Sequence, residues 1–177
     1  MKVSYNWLKE YLDFSEKPNV LADILTSTGL EVEAVVSLFN SFNHLVVGKI
    51  VECKSHPNAD RLKITKVDIG NDIKQIICGA PNVRENQLVI VVLPGHEIIN
   101  IKGEKLKIKK TKIRGVLSDG MICGEDEIGL GYHHDGIVEL DSECKPGFLV
   151  SEYLNIKQDY SLEIGLTPNR TDAFGHI

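Results

Sequence analysis

The chain has 177 residues, of which 42% are hydrophobic and 25% are charged, with four cysteines and a formal net charge of −5. This composition is typical of a folded protein with one domain or two small ones, and it argues against intrinsic disorder. No stretch approaches the ~20 apolar residues of a membrane span, and the first residues lack the apolar core of a signal peptide, so we expect a cytoplasmic location without a membrane partner.

The first 39 residues predict two helices followed by a strand. Ser4 can cap a first helix, because apolar residues follow it at helical spacing. Pro18-Asn19 begins a second helix, and Gly29 is a typical helix end. The alternation of apolar and polar residues from Leu30 to Val36 then predicts a strand.

From residue 40 the pattern changes to short β runs about ten residues apart, which is typical of a small barrel or sandwich. We predict strands near 45–53, 62–69, 73–78, 87–93, 105–114 and 136–140. Leu62 and Ile64 share one face of the second run, whereas the apolar residues from Val67 onward share the other, so we expect a β-bulge there. The run from Leu88 to Leu93 is apolar on both faces, and we expect the flanking segments to cover part of it.

Two turns are predicted between these runs. Gly70-Asn71-Asp72 is typical of a tight hairpin turn. Glu125-Asp126-Glu127 predicts one short helical turn with acidic residues at its positive end.

After residue 150 the helix-and-strand pattern of the first 39 residues returns. The alternation from Asp159 to Ile164 predicts a strand, and 166–172 is a turn that can cap another helix. Neither 1–39 nor 151–177 is large enough to bury a core alone, so together they predict one small discontinuous α/β domain, incomplete at its C-terminal end, that is interrupted by a domain at 40–150. The predicted fold class is α+β and mostly β, with a five-stranded barrel inserted into that α/β domain.

Charge is distributed unevenly along the chain. Residues 1–39 and 151–177 carry five cations and ten anions, whereas residues 102–114 carry seven cations and one anion. Lys105, Lys107 and Lys109 alternate with apolar residues, which would place them on one outward face able to follow a phosphate backbone. The alternative is that these lysines only keep an exposed strand edge from pairing with another chain.

Side chains in nearby loops extend this candidate RNA face. The Ser118 loop offers a hydroxyl and backbone N–H groups for a phosphate or ribose oxygen, and the loop after the third strand offers an amide and a guanidinium for bases. The candidate RNA-binding residues are Asn82, Arg84, Lys105, Lys107, Lys109, Lys112, Arg114 and Ser118. His56 and Asp60 lie beside a turn, and turn chemistry favours a structural role for both, with a hydrogen bond from Asp60 to the backbone, over a binding role.

No catalytic or metal-binding pattern is present in the sequence. It contains no phosphate-binding Gly-x-x-x-x-Gly-Lys loop and no set of residues typical of nucleophilic catalysis. The four cysteines are far apart and are expected to be reduced and buried, and His133-His134 is expected to lie in a solvated loop. Met121-Ile122-Cys123 is interpreted as core packing, and no aromatic stacking platform is evident in the predicted strands.

Three stretches of the 40–150 region occur together in a specific order and spacing. They are His56-Pro57-Asn58-Ala59-Asp60-Arg61-Leu62, Cys78-Gly79-Ala80-Pro81-Asn82-Val83, and Lys112-Ile113-Arg114-Gly115 continuing through Ser118-Asp119-Gly120-Met121-Ile122-Cys123. This set resembles the tRNA-binding OB-fold shared by phenylalanyl-tRNA synthetase β subunits, the C-terminal extension of methionyl-tRNA synthetases and free-standing tRNA-binding proteins.

The flanking segments distinguish among these relatives. Ser4-Tyr5-Asn6-Trp7-Leu8-Lys9-Glu10-Tyr11, Thr28-Gly29-Leu30-Glu31-Val32-Glu33 and Thr167-Pro168-Asn169-Arg170-Thr171-Asp172 look like the opening of bacterial phenylalanyl-tRNA synthetase β subunits. The resemblance covers nearly all 177 residues. Two positions depart from the family pattern, since Gly124 stands where serine is frequent and Thr171 where proline is common.

The resemblance implies a tRNA-binding, non-catalytic N-terminal segment of a phenylalanine–tRNA ligase. It implies tRNA(Phe) and the α subunit as partners, in an assembly of two α and two β subunits, with ATP and Mg²⁺ used elsewhere in that assembly, and no DNA partner. Two other functions stay open, namely a free-standing tRNA-binding or chaperone-like protein and a structural docking insert that binds no RNA.

Overall fold

The computed structural model of the chain describes residues 1–38, 42–141 and 144–167, and their fold is mostly β with short helices. The strands, in chain order, are β1 (Lys2–Ser4), β2 (Val32–Ser37), β3 (Leu45–His56), β4 (Ala59–Asp68), β5 (Ile73–Cys78), β6 (Leu88–Val92), β7 (Glu97–Ile99), β8 (Lys105–Lys107), β9 (Thr111–Ile113), β10 (Val116–Ser118), β11 (Met121–Ile122), β12 (Glu139–Leu140) and β13 (Tyr160–Ile164). The helices of these residues are α1 (Tyr5–Leu8), α2 (Pro18–Ser27) and α3 (Val150–Tyr153), and Asp126–Ile128 forms one 3-10 turn.

The chain divides into two compact units, which we call the flanking unit (residues 1–40 and 157–177) and the central unit (residues 41–156). The flanking unit contains an antiparallel sheet in the order β1-β13-β2. The central unit contains a larger sheet in the order β11-β6-β3-β4-β5, in which β6 also pairs with β12. Two further pairs of strands, β7 with β8 and β9 with β10, complete the central unit.

The helix signals predicted in the flanking unit are confirmed. The side chain of Ser4 accepts a hydrogen bond from the backbone N–H of Trp7 at 2.9 Å and so caps α1. Helix α2 begins at Pro18, and Gly29 follows its end with a φ of 98°. The strands predicted at 30–36 and 159–164 are present as β2 and β13. The helix predicted to start near residue 172 lies outside the described residues.

Strand β1 was not predicted from the sequence. It is only three residues long, and it exists because it pairs with β13, where Val3 lies opposite Leu162. Both side chains are buried. The partner strand lies more than 150 residues away in the chain, so no local pattern marks the first residues as a strand.

The hairpin turn predicted at Gly70-Asn71-Asp72 is confirmed. Strands β4 and β5 pair up to the turn, with Asp68 opposite Ile73. The Asp68 carboxylate accepts the backbone N–H of Gly70 at 2.8 Å, and Gly70 has a φ of 91° that favours glycine.

Two irregularities interrupt the pairing of β3 with β4, and the one beside Val67 has its extra residue in β3, whereas the sequence predicted a bulge there in β4. Ile50 pairs with Val67 across the two strands. The next pair along is Glu52 with Lys66, so Val51 is the extra residue. A bulge at this point strengthens the local twist of the sheet.

Strand β4 keeps a single inward face, so the predicted change of phase is wrong. Thr65, Val67 and Ile69 are buried in succession on that face. Leu62 and Ile64 lie on the opposite face and are half-buried. The sequence pattern misled because the polar Thr65 faces inward, where its hydroxyl donates a hydrogen bond to the carbonyl of Ile76 at 2.8 Å.

Strand β6 is buried along its whole length, and its two faces belong to two separate apolar clusters. One cluster contains Val89 and Val91 together with Ile50, Val67, Ile69, Ile76, Cys78, Val83, Ile122 and Ile137. The other contains Leu88, Ile90 and Val92 together with Leu45, Val47, Ile98, Ile108, Cys123, Ile128, Leu140 and Val150. The residues that Leu88, Ile90 and Val92 contact in this second cluster all belong to the central unit, whereas the flanking segments were expected to cover part of the strand.

The single strand predicted over 105–114 is wrong. Strand β8 ends at Lys107 and pairs with β7, whereas β9 begins at Thr111 and pairs with β10. Between them Ile108 turns inward and is buried. The alternation of lysine and apolar residues is interrupted because this buried side chain fixes the chain between two separate hairpins.

Candidate nucleic-acid interface

The basic segment, residues 102–114, lies on two hairpins that are anchored to the core between them. In the first hairpin β8 pairs with β7, with Lys107 opposite Glu97. The pairing continues at Ile108, whose backbone N–H donates to the carbonyl of His96 and whose carbonyl accepts the N–H of Gly95, each at 2.9 Å. The buried side chain of Ile108 therefore anchors the middle of the basic segment.

The second hairpin, which we call the β9–β10 hairpin (residues 111–118), carries the end of the basic segment at its tip. Ile113 pairs with Val116, which leaves Arg114 and Gly115 as a two-residue turn. Their φ angles are 50° and 92°. Positive φ at both central positions is the geometry of the type I′ turn, whose twist suits a hairpin. Arginine is an uncommon residue at such a position.

Ser118 lies at the base of the β9–β10 hairpin and joins it to β5. Its hydroxyl accepts the backbone N–H of Ile77 at 3.0 Å and donates to the carbonyl of Gly120 at 3.1 Å. The residue is only 3% exposed. The hydroxyl is therefore used within the protein, contrary to the hydroxyl available for phosphate that the sequence suggested.

His56 and Asn58 contact the tip of the same hairpin. The Nε2 atom of His56 lies 3.2 Å from the carbonyl oxygen of Ile113. The Asn58 amide donates to the carbonyl of Arg114 at 3.5 Å. The structural role predicted for His56 is confirmed by this contact. Asp60 is exposed and has no side-chain hydrogen bond to any described residue, so the backbone contact predicted for it is not found.

Most cations of the basic segment have no acidic partner in the described part of the chain. Lys107, Lys109, Lys112 and Arg114 are exposed and form no ion pair with a described carboxylate. Lys105 lies 3.6 Å from Glu97, and both side chains are exposed. Such an exposed pair contributes little to stability, so Lys105 also remains available to an anionic ligand.

Asn82 has a structural role that the sequence did not reveal. Its side-chain amide donates to the carbonyl of Ile137 at 2.9 Å, and its side-chain oxygen accepts the N–H of the same residue at 3.0 Å. This reciprocal pair holds the segment leading into β12. Each polar atom of the Asn82 side chain therefore makes one hydrogen bond within the protein.

Arg84 is paired a few residues further along the same segment. Its guanidinium lies 2.6 Å from a carboxylate oxygen of Glu139, and the other oxygen accepts from Gln87 at 3.1 Å. No hydrogen bond or ion pair between described residues joins Asn82 or Arg84 to the basic segment. The structure thus brings Lys112, Arg114 and Ser118 onto one hairpin and gives Asn82 and Arg84 separate partners.

All four cysteines are free thiols, and none forms a disulfide. Cys78 and Cys123 are buried in the two apolar clusters, where burial raises the pKa of each thiol. Cys53 and Cys144 are half-buried. Among the residues that the structure describes, no group of three or more His, Cys, Asp or Glu side chains is arranged to hold a metal ion.

The loop around residue 133 is exposed, as predicted. Tyr132 is 86% exposed, and His134 contacts the Asp126 carboxylate at 2.6 Å.

Within the described ranges, no helix has the length and apolar character needed to cross a membrane.

Known sequences resemble this chain over almost its entire length. It is 49% identical over 180 aligned residues to a phenylalanine–tRNA ligase beta subunit of Bacteroides fragilis, a match that covers 99% of this chain and 22% of the relative. The corresponding subunit of Chlorobaculum tepidum is 46% identical over 179 residues, with 100% and 22% coverage. The chain therefore spans about a fifth of the length of these relatives.

A solved structure with partial likeness is a MetRS related protein from Pyrococcus horikoshii, with a TM-score of 0.44 and 22% identity over 60% of this chain and 87% of that chain. Residues 45–149 match the family described as "Putative tRNA binding domain". That match covers more than half of the chain, and the chain therefore belongs to this tRNA-binding domain family.

Proposed function

We propose that the central unit binds tRNA(Phe) and that the basic segment contacts the phosphate backbone of that tRNA. The observation that carries the proposal is the exposure of Lys107, Lys109, Lys112 and Arg114 without acidic partners among the described residues. A run of unpaired surface cations attracts a polyanion, because binding releases the counterions condensed on phosphates. Because the chain as a whole carries a net negative charge, a polyanion is attracted to this cationic segment and not to the rest of the protein surface.

The alternative role, keeping an exposed strand edge from pairing with another chain, explains these lysines less well. Strand β8 is only three residues long and lies in a two-stranded pair, so it offers little edge to protect. Lys109 lies between strands, and Arg114 lies in a turn. Their positions would not block strand pairing, but both would add cations to the RNA-binding surface that we propose.

We also propose that the central unit is an OB-type barrel. Around the large sheet the order is β11-β6-β3-β4-β5. The two edges approach through the segment that enters β11, where the backbone N–H of Asp119 donates to the carbonyl of Gln75 at 2.8 Å. The Ser118 hydroxyl adds a second link to β5. A partly open, five-stranded antiparallel barrel is the arrangement typical of an OB-fold.

The eight candidate residues then divide by role. We assign direct phosphate contacts to Lys105, Lys107, Lys109, Lys112 and Arg114. We assign structural roles to the other three, Asn82, Arg84 and Ser118, since their side chains form hydrogen bonds within the protein.

For the whole protein we propose the activity named for the relatives, the ATP- and Mg²⁺-dependent joining of phenylalanine to its tRNA. The partners would be α subunits, in an assembly of two α and two β subunits. In this arrangement the segments 1–39 and 151–177 form one discontinuous domain around a tRNA-binding domain at 40–150. The compact division of the chain near these positions supports that proposal.

The proposal is tested by titrating fluorescently labelled tRNA(Phe) with the 177-residue chain at several salt concentrations. If about four phosphates are engaged, the slope of log K against log salt is about −3 to −4. Reversing the charge of Lys107, Lys109 and Lys112 to glutamate should flatten it to about −1.

A matched control reverses Lys9, Lys17 and Lys157, which are exposed lysines of the flanking unit. This variant changes the net charge by the same amount and should keep the steep slope. Equal slopes in the two triple variants would mean that the basic segment is not the tRNA surface.

A further inference from the structure

We propose that His56 and Asn58 position the tip of the β9–β10 hairpin, so that Lys112 and Arg114 meet RNA at fixed places. The inference rests on the proposed tRNA contact of the basic segment. It adds two positioning residues that are not among the proposed phosphate contacts. They lie more than 50 residues before the hairpin tip in the chain.

The β9–β10 hairpin is too short to be rigid unaided. Each strand has three residues, and an isolated two-stranded hairpin is marginally stable in water. At its base the Gln75 amide donates to the carbonyl of Leu117 at 2.8 Å, and the Ser118 hydroxyl binds β5. These contacts hold one strand at the base and leave the turn at Arg114 and Gly115 to be held by something else.

The turn between β3 and β4 supplies that second attachment. Nδ1 of His56 accepts the backbone N–H of Asn58 at 3.1 Å, so this nitrogen carries no proton. In the neutral ring the proton is then on Nε2, which makes Nε2 the donor to the carbonyl of Ile113. The His56 imidazole thus forms one hydrogen bond within the turn between β3 and β4 and a second to the β9–β10 hairpin.

Two carbonyls at the hairpin tip are held in this way. Ile113 is bound by His56, and Arg114 is bound by Asn58. Lys112 and Arg114 flank Ile113 in the chain, so fixing these carbonyls fixes the backbone that carries both charges. A cation held in place before binding loses less freedom when it meets a phosphate than one on a mobile turn.

His56 cannot itself contact RNA in this arrangement. The residue is only 5% exposed, and both ring nitrogens are hydrogen-bonded within the protein. Any loss of tRNA affinity on replacing it must therefore act through other residues. The contacts identify those residues as the cations of the hairpin tip.

The test is a double-mutant cycle with labelled tRNA(Phe) and the 177-residue chain. His56→Ala should weaken binding about tenfold, because the tip cations lose their preorganisation. In a Lys112→Ala/Arg114→Asn background the same change should have almost no further effect. Asn58→Ala, on the exposed side of the turn, should give a smaller loss with the same background dependence.

Two further variants separate positioning from general damage to the fold. His56→Gln keeps an N–H donor near the Nε2 position and should recover most of the affinity. His133→Ala removes an exposed histidine with no described contact and should bind like the wild type. Amide hydrogen exchange in His56→Ala should quicken at residues 111–118 while β6 stays protected.

The outcomes distinguish this inference from the proposed function. Salt-dependent binding by the wild type with an equal loss from His56→Ala in both backgrounds, or with no loss at all, would overturn the positioning role alone. A wild-type chain that does not bind tRNA would overturn the proposed function and the positioning role together.

Discussion

Glu52 illustrates how single side chains hold neighbouring strands of the central unit together. Its carboxylate forms ion pairs with Lys54 and with Lys66, the latter at 2.6 Å and directly opposite on β4. The hydrogen bond from Lys54 contributes most, followed by that from Lys66, and together they lower the pKa of the Glu52 carboxyl from 4.5 to about 2.

The lowered pKa predicts how Glu52 contributes to stability as the pH changes. Because the folded state favours the ionised carboxyl, the contribution is present above pH 4.5 and is lost as the pH falls towards about 2. Glu52→Gln should therefore be less stable than the wild type at neutral pH, and the difference should shrink across that acidic range. Urea unfolding at a series of pH values measures it, with Glu10→Gln as a control. A difference that stays constant with pH would contradict the assignment.

Asn82 provides a second prediction at the scale of one residue. Asn82→Ala leaves the N–H and carbonyl of buried Ile137 without their partner, which should lower the free energy of unfolding by about 1–3 kcal/mol. The slope of tRNA binding against salt should not change. Asn71→Ala, in an exposed turn, is the matched control and should be nearly neutral. Unchanged stability combined with weaker tRNA binding would instead make Asn82 a direct contact.

Strand β3 packs closely against its neighbours at Gly48. A Cβ atom at this position would lie 2.5 Å from a methyl carbon of Val67 and 2.8 Å from one of Val91. Both valines belong to the same buried cluster, and a full core does not accept an added methyl group without strain. The glycine therefore allows β3 to cross the interior closely.

Gly48→Ala should accordingly lower the free energy of unfolding by about 1–3 kcal/mol, as measured by chemical denaturation. Gly79→Ala is the matched control, because its added Cβ would meet only the end of the Leu62 side chain, at 3.2 Å. A loss in Gly79→Ala as large as that in Gly48→Ala would show that the interior at β3 is not specially crowded.

The elements that the sequence predicted well are those with strong local signals. The cap at Ser4, the helix start at Pro18 and the turn at Gly70 were each placed correctly because one residue type determines the local geometry. Strand β1 and the division of 105–114 were not predicted, because they depend on pairing with distant residues and on the burial of Ile108.

The candidate site was predictable in its charges and not in its hydrogen bonds. The concentration of lysines is visible in the sequence, so the cations were found. The hydrogen bonds of Asn82 and Ser118 to distant segments are not encoded in any local pattern, so their structural roles were missed. The type I′ turn at Arg114 and Gly115 was not predicted, because asparagine or aspartate, not arginine, usually precedes glycine in such turns.

For the molecule as a whole, we propose that tRNA binds to one cationic surface of the central unit. Lysine acetylation with and without tRNA(Phe), followed by mass spectrometry, tests that claim position by position. We expect slower acetylation of Lys105, Lys107, Lys109 and Lys112 when tRNA is present, with Lys9, Lys17 and Lys157 unchanged. Equal protection of both groups, or protection of the second group alone, would contradict this proposal.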